Sequence, residues 1–178
     1  MILASLQVAG CGPAPNPVAA RQDLASLKRL LSLMARRLAL MHDVARWKWN
    51  EGKPILDAER ERESLAAVVE RGRARGLDPA LVRAFFAAQM KAARLVQQAD
   101  FDQWRAEGRD KFDGTATLAE LRQRIDGLNG ELLEALEAVA PLLEGPKSQE
   151  ALPGLAEEYI GGEGLAEVRE AAIAPLRR

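Results

Sequence analysis

The feature that most constrains the fold is a long amphipathic segment near the start of the chain. Its apolar residues recur at alternating steps of three and four, the spacing that keeps side chains on one face of a helix. These positions are Leu24, Leu27, Leu31, Met34, Leu38 and Met41. The pattern predicts a single helix that begins at residue 17 or 18, ends at residue 50 and is broken by Gly52-Lys53-Pro54.

Glycine and proline breaks divide the rest of the chain into further helices. A second helix is expected over residues 57–73, and a third from residue 79 to about 104, with Asp78 as N-cap and Pro79 as first helical residue. Thr117 and Glu120 predict a capping box for a fourth helix that ends near residue 139. Two short helices are expected near residues 148–155 and 164–176, and no strand is predicted.

Composition supports the same fold class and excludes several functions. Ala, Leu, Glu and Arg abound while β-branched residues are scarce, so an all-α single domain is predicted, with a long first helix, about four core helices and short C-terminal helices. The net charge of −1 provides no global field for nucleic acid. A single cysteine, Cys11, excludes an intrachain disulfide, and a single histidine, His42, leaves little material for a zinc site or a catalytic triad.

The predicted organisation has three parts. Residues 1–17 form a signal-like and linker segment, residues 18–144 the main helical domain, and residues 145–178 a C-terminal helical extension of the same domain. Val8-Ala9-Gly10-Cys11 looks like the end of a bacterial lipoprotein signal. Export to the periplasm or the medium is therefore expected, and lipidation of Cys11 is left open. The alternative is a structureless terminus that happens to contain a cysteine.

Two cations interrupt the apolar face of the first helix. Arg37 and Lys48 are eleven residues apart, almost three whole turns, so their side chains point the same way. A cation within a buried face is unfavourable unless an anion meets it there, and no acidic residue lies on this face. The sequence therefore predicts an anionic ligand bound inside a helical protein.

Each of the other core helices also places polar groups on or beside its apolar face. These groups are Asp57, Arg60, Glu61 and Ser64 on the second helix, Gln89 and Gln97 on the third, and Arg122 on the fourth. Any one of them alone is more often a solvated or structural residue than a functional one. Their joint occurrence on four helices is what indicates a binding site.

Several short motifs, with their spacing, resemble those of a known family. They are Ala35-Arg36-Arg37-Leu38, Trp47-Lys48-Trp49, Asp57-x-x-Arg60-Glu61, Leu77-Asp78-Pro79, Phe86-x-x-Gln89, Val96-Gln97, Phe101-Asp102-x-Trp104 and Ile125-Asp126-x-Leu128-Asn129. Together they resemble the exported branch of the all-helical chorismate mutases, over about residues 31–133. The resemblance implies conversion of chorismate to prephenate without a cofactor or metal, in a homodimer.

The resemblance also implies roles for individual residues. It implies Lys48, Gln97, Arg37 and Arg60 as catalytic residues, and Asp57, Glu61, Ser64 and Arg122 as further contacts to the substrate. The arginines would bind the two carboxylates, because a guanidinium fork matches both oxygens of a carboxylate. Lys48 and Gln97 would donate to the ether oxygen. Arg124 is two residues from Arg122 and competes with it for the place on the fourth helix.

Two other functions remain open at this stage. An isochorismate-pyruvate lyase would use a similar cationic pocket for an elimination, and its product would distinguish it. A non-catalytic exported helical protein would instead bind a partner through its helix faces, with Arg37 and Lys48 paired to acidic groups of that partner.

Overall fold

The computed structural model describes residues 17–178, and in that part of the chain it contains six α-helices and no strand. The helices are α1 Pro17–Asn50, α2 Ala58–Ala74, α3 Pro79–Ala106, α4 Leu118–Val139, α5 Pro146–Ile160 and α6 Ala166–Ile173. Short 3-10 turns follow α4 at Ala140–Leu142 and α6 at Ala174–Leu176. The all-α prediction is confirmed, and the signal-like segment with Cys11 lies outside the described residues.

Helix boundaries follow the capping residues that the sequence provides. Asp78 accepts a hydrogen bond from the backbone N–H of Ala80 over 2.9 Å, and Pro79 begins α3. At the start of α4, the Thr117 N–H donates to the Glu120 carboxylate over 2.8 Å, while the Glu120 N–H donates to the Thr117 hydroxyl over 3.3 Å. These side chains satisfy N–H groups that a first helical turn leaves without partners, so α3 and α4 each begin at a defined residue.

The first helix is the longest of the described helices and is about 50 Å long at the usual rise per residue. It packs against α3, α4 and α5, while α3 also packs against α2 and α6. Leu30, Leu31 and Met34 are fully buried in the resulting core. Leu24, which the apolar spacing assigns to the same face, is 41% exposed. Periodicity defines the face of a helix but not how far the neighbouring helices extend along it.

A smaller aromatic cluster fixes the far end of α1. The ring of Trp49 meets Phe101 edge-on at 5.2 Å between centroids and Trp104 at 5.6 Å. Its indole Nε1 donates to the backbone carbonyl of Asp110 over 2.6 Å. Because Lys48 is the preceding residue, this packing holds the last turn of α1 and its cation against α3.

The C-terminal helices cover the core rather than the predicted site. Helix α5 packs against α1, and α6 packs against α3. Helix α5 continues to Ile160, beyond its predicted end, although Pro153 lies inside it. None of the described helices is both long enough and apolar enough to span a bilayer.

Candidate active site

A cavity of about 570 Å³ lies between α1, α2, α3, α4 and the loop that joins α1 to α2. Gln89 does not line it, whereas every residue to which the resemblance assigns a role in the site contributes to its wall. These residues are Arg37, Lys48, Asp57, Arg60, Glu61, Ser64, Gln97 and Arg122. They come from four helices and the N-cap of α2, so a single chain forms the whole cavity wall.

Arg37 is the most deeply placed cation of the cavity, with 5% of its surface exposed. Its Nε donates to Oδ1 of Asn129 over 3.2 Å, and its Nη1 donates to the backbone carbonyl of Gln89 over 3.2 Å. No carboxylate within residues 17–178 forms an ion pair with it. Burial lowers the pKa of Arg37 to about 10, an effect that the charge of Glu61 partly offsets. At neutral pH the guanidinium therefore remains a buried cation that is hydrogen-bonded but not neutralised.

Lys48 lines the cavity about three helical turns beyond Arg37 along α1 and is half-buried. Its Nζ donates to the backbone carbonyl of Ile55 over 2.5 Å, which ties the α1–α2 loop to α1. Burial lowers the pKa of Lys48, while the carboxylates of Glu61 and Asp57 raise it and Arg94 lowers it. An ammonium carries three N–H bonds, so the contact with Ile55 leaves two for a ligand.

Gln97 brings an uncharged amide to the cavity wall, with 4% of the residue exposed. Its Nε2 donates to the backbone carbonyl of Ala93 over 3.1 Å and approaches the Met41 sulfur at 3.9 Å. Its buried Oε1 has no partner within the described part of the chain. Buried polar atoms are normally paired, so this orphaned oxygen indicates that protein groups alone do not complete the hydrogen bonding here.

Three other nominated residues form the rim. Asp57 caps α2 by accepting from the backbone N–H of Arg60 over 3.1 Å. The exposed guanidinium of Arg60 lies 3.5 Å from Glu63, a distance at which an exposed pair contributes little energy. Arg122 is exposed and faces the cavity from α4. Its competitor, Arg124, pairs instead with Asp43 over 3.1 Å and is not part of the cavity wall, so the geometry favours Arg122.

Arg94 and Asn129 contact residues of the site but were not assigned a role from the sequence. Arg94 forms an ion pair with Glu61 beside the cavity. Asn129 lines the cavity and holds Arg37. Asn129 could have been found, because it lies seven residues after Arg122 on the same face of α4. Arg94 could not, because its contact depends on how α2 and α3 pack.

Metal ligands do not converge anywhere in residues 17–178. No group of three or more His, Cys, Asp or Glu side chains in that range is arranged to hold an ion. The chemistry that the cavity itself offers is electrostatic. It presents positive charge and hydrogen-bond donors from fixed helices to a small organic anion, as an enzyme does when it stabilises developing negative charge.

The helical fold and the cationic cavity thus define a small, all-α enzyme that binds an organic anion. Comparison with known proteins shows which family within this class the chain resembles. The sequence profile described as chorismate mutase type II matches residues 28–98. The secreted chorismate mutase of Mycolicibacterium smegmatis is 30% identical over 145 residues, which are 82% of this chain and 80% of that protein. The secreted chorismate mutase of Mycobacterium tuberculosis is 27% identical over 97% of this chain and 84% of its own length.

Solved structures agree with these relatives. The chorismate mutase from Burkholderia thailandensis superposes with a TM-score of 0.79 at 32% identity, covering 85% of this chain and 99% of that one. The protein belongs to the chorismate mutase family. It is an isomerase, and its reaction is the rearrangement of chorismate to prephenate. These relatives do not favour the lyase or the non-catalytic alternative.

Proposed function

We propose that the cavity between α1, α2, α3 and α4 is the catalytic site, and that it acts by holding chorismate and stabilising the charge that develops during its rearrangement. The observation that supports this proposal most directly is Arg37, a cation buried inside the fold without a carboxylate partner among residues 17–178. A substrate carboxylate would supply the missing negative charge. The energy of that contact would then offset the unfavourable burial of the cation.

The two carboxylates of the substrate would be bound at opposite parts of the cavity. Arg37 would bind one of them from the floor, where Asn129 and the Gln89 carbonyl already fix its orientation. Arg60 and Arg122 would bind at the rim, where their exposed side chains are free to close on the ligand. Planar guanidinium groups suit this task because each offers two parallel N–H donors to a carboxylate.

The charge that builds on the ether oxygen would be stabilised by Lys48 and Gln97. The C–O bond breaks as the new C–C bond forms, so electron density accumulates on that oxygen in the transition state. A preorganised donor aimed at such a position is among the strongest catalytic devices in enzymes. Lys48 has N–H bonds to spare, and Nε2 of Gln97 carries a second N–H besides the one that it donates to the Ala93 carbonyl.

Glu61 and the backbone at Asp57 would contact the hydroxyl group of the substrate. The ion pair with Arg94 holds the Glu61 carboxylate beside the cavity. Ala93 provides no hydroxyl to the wall, and Ser64 on α2 is the hydroxyl that could take its place. Because the rearrangement is unimolecular and concerted, positioning and electrostatics suffice and no nucleophile is required.

The assay follows the loss of chorismate absorbance with purified protein, and acid then converts prephenate to phenylpyruvate. We expect turnover, and we expect Lys48→Ala to lower kcat/KM by about 10²–10³-fold. Lys147→Ala, an exposed lysine on α5 remote from the cavity, is the matched control and should behave as wild type. Equal activity of the two variants would refute the assignment of Lys48. Turnover of isochorismate to salicylate and pyruvate instead would support the lyase.

We further propose that the protein is exported, on the basis that two of its relatives are named secreted chorismate mutases. We also propose that it acts as a homodimer, as its resemblance to the all-helical chorismate mutases implies. Cell fractionation tests export, and light scattering of the purified protein tests the dimer. Lipidation of Cys11 predicts membrane association that Cys11→Ser abolishes. Release of the wild-type protein in soluble form would exclude the anchor.

A further inference from the structure

The catalytic cavity has acidic as well as basic residues in its wall. The acidic residues, in the part of the chain that the structure describes, are Asp57, Glu61 and Asp126. Asp57 and Asp126 are exposed, whereas Glu61 is partly buried, with 28% of its side chain exposed. Burial lowers the pKa of Arg37 and of Lys48, and the charge of Glu61 raises both. The Glu61 carboxylate is therefore within electrostatic reach of the two cations that are proposed to bind the substrate.

A carboxylate at this position opposes the binding of a substrate that itself carries two carboxylates. It would repel the substrate, and it would compete with the substrate for Lys48. Both effects are stronger in a partly buried site than in water, because fewer solvent dipoles screen the charges. For Glu61 to favour binding, its charge has to be compensated by a cation that the substrate does not need.

Arg94 on α3 is such a cation. Its Nη1 donates to Oε2 of Glu61, and the side chain of Arg94 is 34% exposed. No other cation within residues 17–178 forms an ion pair with Glu61. Arg94 does not line the catalytic cavity, so it compensates Glu61 without occupying the space of the substrate. Because the contact uses one oxygen of the carboxylate, Oε1 remains to accept a hydrogen bond from a ligand.

We propose that Arg94 is a positioning residue of the catalytic cavity, which neutralises Glu61 and holds its carboxylate where it accepts from the substrate without repelling it. Arg94 acts through Glu61 and makes no contact with the substrate itself. It lies three residues before Gln97, so one helix carries both the proposed donor to the ether oxygen and the group that fixes Glu61 on α2. The inference rests on the contact that we propose between Glu61 and the substrate.

Steady-state kinetics with chorismate test the proposal through Arg94→Gln. This variant should raise KM about tenfold and keep kcat within about threefold of wild type, because an uncompensated Glu61 would weaken binding of the ground state and of the transition state alike. Arg94→Lys retains the positive charge and should keep KM within about threefold of wild type. Arg105→Gln is the matched control, because it removes an arginine of α3 whose partner, Asp102, lies outside the cavity wall. Its KM should be that of wild type.

A second substitution separates action through Glu61 from a direct action of Arg94. Glu61→Gln removes the charge and keeps an oxygen that can accept a hydrogen bond. In this background, Arg94→Gln should change KM by less than about twofold, because the charge that Arg94 compensates is absent. An equal rise of KM in both backgrounds would overturn the proposal, since Arg94 would then act on the substrate directly.

Thermal unfolding tests whether the pair is only structural. Partly exposed ion pairs contribute little stability, so the melting temperature of Arg94→Gln should fall no further than that of Arg105→Gln. A lower melting temperature with an unchanged KM would make the pair structural and would overturn the proposal. The wild type is assayed first, and absence of turnover would contradict the proposed function of the cavity. An active wild type whose KM is unaffected by Arg94→Gln would overturn this inference alone.

Discussion

Arg37 and Asn129 meet at the floor of the catalytic cavity, where Nε of the arginine donates to Oδ1 of the amide over 3.2 Å. Both residues are buried, with 5% and 3% of their surfaces exposed. The contact joins α1 to α4 and leaves the amide, rather than a carboxylate, as the side-chain partner of the cation. An uncharged partner orients the guanidinium without neutralising it, so the positive charge remains available for a substrate carboxylate.

The first prediction concerns this contact. Asn129→Ala should lower kcat/KM about tenfold, mainly through KM, because Arg37 loses the group that orients it toward the substrate. Steady-state kinetics with chorismate measure the effect, and circular dichroism verifies that the variant is folded. Asn129→Asp provides the sharper comparison. A carboxylate at this position would neutralise Arg37 and should raise KM further than the alanine does.

The second prediction concerns the pH dependence of the reaction. Gln97 donates at any pH, so the rate should be nearly flat from about pH 5 to 8. In Gln97→Glu the donor exists only while the carboxyl is protonated, and activity should fall as pH rises through the pKa of the new group. Measurement of kcat/KM as a function of pH for the wild type and for Gln97→Glu tests this prediction. A steep loss above pH 5 in the wild type would contradict a neutral donor at this position.

The third prediction concerns His42 and Asp100, which join α1 to α3 on the protein surface. Nδ1 of His42 lies 2.8 Å from the Asp100 carboxylate. The hydrogen bond and the charge of Asp100 raise the pKa of His42, while partial burial and Arg46 lower it. A group whose pKa is raised in the folded state stabilises it most when protonated, so this contribution is lost as pH rises.

The melting temperatures of wild type and His42→Gln should therefore differ most at pH values below 6.5, the ordinary pKa of a histidine side chain. The difference should shrink as pH rises through the higher folded-state pKa. A difference that is constant with pH would show that His42 contributes only by packing. Catalysis should be unaffected, because His42 does not line the cavity.

The fourth prediction compares two glycines within helices. At Gly72 of α2 a β-carbon would lie 2.7 Å from Cγ2 of Val82, so Gly72→Ala should lower the melting temperature. At Gly127 of α4 a β-carbon would meet no atom within 4 Å. Gly127→Ala should therefore stabilise the fold by about 0.5–1 kcal/mol, the usual cost of glycine in a helix. Thermal unfolding of both variants tests the pair. Equal effects would contradict the close packing of α2 against α3.

Local signals made most of the fold predictable from the sequence. The caps at Asp78 and Thr117 act within one helical turn, so they could be read without knowledge of tertiary structure. The joint position of Arg37 and Lys48 likewise follows from helical geometry alone. The exposure of Leu24 was not predictable, because it depends on where other helices end.

Contacts between helices account for what the sequence did not predict at the site. Glu61 was expected to contact the substrate, but its ion pair with Arg94 was not expected, because that pair depends on the packing of α2 against α3. The support of Arg37 by Asn129 depends in the same way on the packing of α1 against α4. Helical spacing places a side chain on a face, but the partner it meets is decided by the neighbouring helix.

Gln89 links the C-terminal helix α6 to Arg37 at the floor of the catalytic cavity. Its Nε2 donates to the Ala172 carbonyl in α6 over 2.9 Å, and the backbone carbonyl of the same residue accepts from Nη1 of Arg37. A protein truncated after residue 144 would retain every proposed contact to chorismate. It would nevertheless expose the side of α3 that contains Gln89, whose backbone carbonyl accepts from the buried Arg37. We therefore expect turnover to depend on residues 145–178, although none of them lines the cavity, and a protein truncated after residue 144 that kept full activity would contradict this.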